Sequence, residues 1–136
     1  MAQQPDLNQA KSYLDQLDLD YISRVMCAAH YPLPRWQYNK AKICEQQYRR
    51  YLWLLVKYRG EPLVPTKAID EFWHNHILYT KRYHQDCQQL VGNYIHHHPT
   101  DPAQGDLGKM AKGFERTKEL YLAEFGEPLQ VLSEKH

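Results

Sequence analysis

The stretch from about Gln37 to Tyr58 constrains the fold most, because it carries apolar and aromatic side chains at three- and four-residue intervals along its whole length. Ile43, Gln47, Tyr51, Leu54, Leu55 and Tyr58 share one face, with Cys44, Tyr48 and Leu52 beside it. That period belongs to an amphipathic helix. The rest of the chain follows the same rule. A short helix is expected from about Asp6 to Leu17, with Leu7, Ala10 and Leu14 on a stripe. A second covers LDLDYISRVMCAAH, where Leu19, Ile22, Val25 and Met26 repeat and Asp18 or Asp20 can cap the start. The prolines of YPLPRW stop it. A fourth helix begins after Pro65-Thr66, bends near Thr80 and continues as Lys81 to Leu90, ended by Gly92. NYIHHHPTDPAQGD reads as a loop, with NYIHHH as a short extended piece. A last helix runs from about Leu107 to Phe125. No segment alternates in the way a half-buried strand does. The expectation is an all-α, single-domain bundle of five or six helices over residues 1–136.

Composition narrows the function classes. The 136 residues carry a formal net charge of +1, which gives no global attraction to nucleic acid or to an anionic membrane. The N-terminal MAQQPDLNQAKSYLDQLDLD has no apolar signal core, and no run approaches the length of a membrane span. A cytoplasmic protein without nucleic-acid or membrane partners is expected. Three widely spaced cysteines, Cys27, Cys44 and Cys87, fit neither a disulfide framework nor a CxxC zinc site and read as small buried hydrophobes. Eleven tyrosines suggest many half-buried positions, with the ring inside and the hydroxyl at water or a partner.

The chemistry concentrates in IDEFWHNHILYTKRYHQDC. Zinc and iron sites use imidazole and carboxylate donors. Asp70 and His74 are four residues apart, so a helix sets them on one face. His76 lies about 200° around the helix from His74 and cannot share a metal with it. It is expected to pack beside Trp73 and Thr80 or to donate to a carbonyl. Glu71 is expected to face water. A third ligand must come from elsewhere, and His96 to His98 supply the nearest imidazoles once the chain folds back at the bend. Asp86 or His84, on the second arm, could ligate or support. Two histidines and a carboxylate suit zinc or ferrous iron with open positions, and hence a bound water. The plain alternatives are a hydrogen-bonded Asp70–His74 pair, a solvated histidine loop and a purely structural Trp73. No phosphate loop, dinucleotide fingerprint or nucleophile elbow occurs.

The stretch LVPTKAIDEFWHNHILYTKRYHQDCQQLVGNYIHHHP resembles the glycine-rich domain-containing protein-like family, a domain of unknown function in plant and bacterial proteins. The resemblance rests on Val64, Pro65, Ile69, Asp70, Trp73, His74, His76, Leu78, Tyr83, Asp86, Cys87, Gly92 and His97, and covers about residues 18–100. It implies no established activity. It does imply that His97 is the histidine of the triplet that matters, and it singles out His76. Two readings follow. In the first, the protein binds a divalent metal, zinc or iron, through Asp70, His74 and His97, with His76, Asp86, Tyr83 and Trp73 in support, and could be a small hydrolase-like or oxygenase-like metalloenzyme. In the second it is a non-enzymatic interaction module whose Asp-Trp-His-x-His cluster is structural, with an unidentified protein or small molecule as partner.

Overall fold

A computed structural model describes residues 4–98, 103, 105–132 and 135. Six helices follow one another: α1 Leu7–Gln16, α2 Asp20–Cys27, α3 Tyr38–Lys57, α4 Lys67–Leu78, α5 Thr80–Val91 and α6 Leu107–Phe125. No strand occurs among the described residues, so the all-α reading stands. Part of the expected proline-containing loop, residues 99–102 and 104, lies outside the described residues.

Local chemistry sets the boundaries. Asp6 and Gln9 form a reciprocal capping box at α1. Thr66 Oγ1 accepts the Ile69 amide at 3.1 Å and starts α4. At α2 the cap position is Leu19, and Asp18 supplies its carboxylate one residue earlier, to the Asp20 amide. The expected bend falls at Tyr79, whose ψ of 69° separates α4 from α5. Gly92 ends α5 in the left-handed region at φ 71°, open to glycine at no steric cost, and so aims the chain into the histidine loop.

Helix α3 is the hub, packed against α1, α2, α4 and α6. Its Tyr48, Tyr51, Leu52 and Leu54 are fully buried, against Leu14, Ile22, Met26, Ile69 and Phe72 of its neighbours. Two expected stripe members, Leu7 and Ile43, are exposed instead. The buried face of α3 centres on Cys44, Tyr48 and Tyr51, which turns Ile43 outward. Cys44 and Cys87 are buried as expected, and burial pushes both thiols up, away from the reactive thiolate.

The segment joining α3 to α4 is clamped onto α6. Thr117 Oγ1 accepts the Val64 amide at 3.0 Å and donates to the Gly113 carbonyl at 3.0 Å. Gly113 lets this happen: a Cβ there would meet the Pro62 carbonyl oxygen at 2.5 Å and Val64 Cγ2 at 2.6 Å. Gly113→Ala gains about 1 kcal/mol of helix propensity but must push a backbone carbonyl aside, which costs about 1–3 kcal/mol. The expected outcome is a net loss in the urea midpoint; a stabilised variant would mean that this segment yields freely.

Candidate functional site

The site begins with one turn of α4. Asp70 and His74 stand on the same face, with His74 Nδ1 4.0 Å from Asp70 Oδ2. Asp70 lies in the first turn, where the helix dipole favours a carboxylate. The chain then reverses at Tyr79, runs back along α5 and leaves at Gly92. That path returns His97 to Asp70, and its Nε2 makes a hydrogen bond to Asp70 Oδ1. The His97 ring lies between two others: Trp73 at 4.3 Å and the stacked His74 at 4.7 Å, centroid to centroid. The donor atoms of Asp70, His74 and His97 all lie within 4.8 Å of one another.

His96 and His98 are exposed, while Ile95 and His97 turn inward. Extended backbone explains this, since alternate residues face opposite ways. An inward Ile95 brings His97 in with it. Tyr83 holds this segment: its hydroxyl donates to the Ile95 carbonyl and accepts the Trp73 indole N–H at 2.9 Å. Trp73 and Tyr83 therefore support His97 directly. His84 is exposed and is not among the clustered donors.

His76 and Asp86 do something other than expected. They form their own buried pair on the far side of α4. His76 Nε2 lies 2.8 Å from Asp86 Oδ2, and His76 Nδ1 lies 2.7 Å from the Tyr48 hydroxyl. Asp86 Oδ1 accepts the Tyr13 hydroxyl at 2.7 Å. In the Nε2–H tautomer every donor in this chain meets an acceptor. Burial, then the hydrogen bond to Asp86, push the Tyr13 hydroxyl up; burial does the same to Tyr48. The chain ties α1, α3, α4 and α5 together. Toward the Asp70–His74–His97 group, His76 makes an edge-on ring contact with Tyr83 at 4.8 Å. The expected carbonyl partner for His76 is replaced by a carboxylate and a phenol because α5 folds back against α4 at this level.

Glu71 is also corrected. It does not face water: Oε2 accepts from the Tyr31 hydroxyl at 2.6 Å and the Trp36 indole at 2.7 Å, and Oε1 pairs with Lys135 at 3.0 Å. YPLPRW thus exposes Pro32, Leu33 and Pro34 but buries its two aromatic ends against α4. The signal lay in those ends, since a buried indole or phenol needs a polar partner.

The cluster sits on the wall of a cleft of about 450 Å³ between the Pro62–Lys67 segment, α4 and the histidine loop. Three polar donors from one helix and one loop, beside a cleft in an all-α domain, define a helical protein with a candidate Asp/His centre. The chain belongs to the UCP032817-like family, whose model matches residues 9–124 and which is itself uncharacterised. That match runs from α1 to α6, beyond the 18–100 span of the motif above. Neither the curated proteins nor the solved structures yield a match. No helix among the described residues is long and apolar enough to cross a membrane.

Proposed function

We propose that Asp70, His74 and His97 hold a divalent metal ion, zinc or ferrous iron, with at least one coordination position open to the cleft. The convergence of their three donor atoms within 4.8 Å supports this most. Zinc takes imidazole and carboxylate at about 2.0–2.2 Å, so neighbouring donors stand wider than a hydrogen bond and closer than 4.8 Å. His74 is the side chain free to adjust, being 59% exposed. His97 is fixed by Trp73 and the Tyr83–Ile95 bond. An ion would replace the Asp70–His97 hydrogen bond with two coordinate bonds to the same atoms. Three protein ligands leave room for water, and a bound metal would lower the pKa of that water and make it a nucleophile. On zinc this supports hydrolysis; on ferrous iron, the same two-histidine, one-carboxylate set supports oxidative chemistry.

Elemental analysis of protein purified without a histidine tag tests the proposal. Near-stoichiometric zinc or iron is expected in the wild type. It should be lost in a His74→Ala, His97→Ala variant that keeps its helical circular dichroism. A wild type that takes up neither ion after repletion would leave the cluster as a structural bond between α4 and the histidine loop, the reading in which the protein is an interaction module.

A further inference from the structure

The cleft beside the cluster has a chemistry of its own. Lys67, Asp70 and His74 stand at i, i+3 and i+7 on α4, so the lysine shares their face about two turns before His74. All three line the same cleft as His97. Lys67 is exposed and makes no ion pair or side-chain hydrogen bond among the described residues. This sets it apart from Glu61 on that wall, which is already paired with Arg116 at 3.0 Å, and from Asp70, which meets His97. The dipole at the start of α4 adds positive potential at the same end. His96 and His98 border the same cleft, and Leu55, Leu63, Val64, Pro65 and Met110 give it an apolar wall. Thr66 is buried and spent on its cap. The cleft volume of about 450 Å³ falls in the range that holds a small organic ligand.

We infer that this cleft binds a small carboxylic acid with an apolar body, its carboxylate between Lys67 and the Asp70–His74–His97 centre and its hydrocarbon against Leu63, Val64 and Met110. This rests on the metal reading for the centre's charge, because a divalent ion with one aspartate leaves one positive charge beside that of Lys67. Without the ion, Asp70 would offset the lysine. A neutral ligand would leave the ammonium unmatched, and a fully polar one would leave the apolar wall against water. The apolar wall and the Lys67 ammonium together select an amphipathic anion.

The test uses 3-phenylpropionate and its neutral isostere 3-phenylpropionamide, titrated calorimetrically into zinc-loaded full-length protein, with zinc content measured in each sample. The acid is expected to bind at least tenfold more tightly than the amide. Lys67→Met should abolish that preference with zinc content unchanged, and Lys67→Arg should restore most of it. Equal binding of acid and amide, or an undiminished preference in Lys67→Met, would overturn the inference and leave the metal reading standing. Zinc-free wild type that prefers the acid as strongly as the zinc-loaded protein would overturn the part assigned to the centre's charge and leave the zinc content as the separate test of the metal reading. Absence of binding by either compound at millimolar concentration overturns the inference.

Discussion

Asp86→Ala is expected to destabilise the protein by about 2–5 kcal/mol, because it leaves two hydrogen-bond donors inside the fold without their acceptor. Asp86 is the only acceptor between two donors. It takes the Tyr13 hydroxyl on one oxygen and His76 Nε2 on the other. The His76 side chain is 1% exposed, so no water stands ready to replace the lost carboxylate. Removing it strands an imidazole N–H and a phenol inside the protein, each at about 1–3 kcal/mol. It also opens a small cavity where α1 meets α5. Asp86→Asn should fall between wild type and alanine, because an amide oxygen serves one donor while its NH2 group confronts the other. Urea unfolding measures the loss, and a His76→Ala, Asp86→Ala cycle isolates the pairwise part, expected at about 1–3 kcal/mol. An Asp86→Ala loss below 1 kcal/mol at unchanged m-value would show that the pair does not hold the helices. The effect on the candidate centre should be indirect, through the edge contact between His76 and Tyr83, whose hydroxyl secures the segment before His97.

Most of the helices were legible because they are announced locally: by a cap at Asp6 and Thr66, by prolines after α2 and by Gly92 after α5. The Asp70–His74 pair was legible for the same reason, since four residues on a helix is a fixed geometry. The choice of His97 over His96 and His98 came with the family resemblance, yet Ile95 carries a physical signal for it. In extended backbone the residue two after an inward isoleucine also turns inward. What spacing could not give was anything decided across helices. His76 and Asp86 are ten residues apart with a reversal between them, and their outer partners Tyr48 and Tyr13 lie on two other helices. No local pattern connects those four. The tyrosine content was read as half-buried surface, whereas Tyr48, Tyr51 and Tyr83 are fully buried and bond inside the protein. Glu71 was misassigned for a related reason. Its place on α4 says only that it lies beside Asp70; the donors that bury it come from YPLPRW and Lys135.

Zinc should raise the melting temperature, and the size of the shift separates a bound ion from a merely structural cluster. At free zinc about one hundred times Kd, preferential binding to the native state contributes about 2.7 kcal/mol. With an unfolding entropy of about 2 cal/mol/K per residue, a chain of 136 residues should gain about 10 °C. Chelator should reverse the shift, and acid should erode it, because protons compete for the same lone pairs. Asp70→Asn is the informative variant. Its amide oxygen can still accept the His97 N–H, so the contact that closes the histidine loop survives and the zinc-free variant should melt within a few degrees of wild type. A neutral amide is a poor zinc ligand, so the zinc-dependent shift should vanish. His97→Ala differs: it empties the space between Trp73 and His74 and should lower the melting temperature with or without zinc. If Asp70→Asn alone lowers the zinc-free melting temperature as much as His97→Ala does, while zinc shifts neither wild type nor variant, the carboxylate serves the fold and the centre holds no ion. If Asp70→Asn leaves the zinc-free protein intact and removes only the response to zinc, Asp70 is kept for the metal.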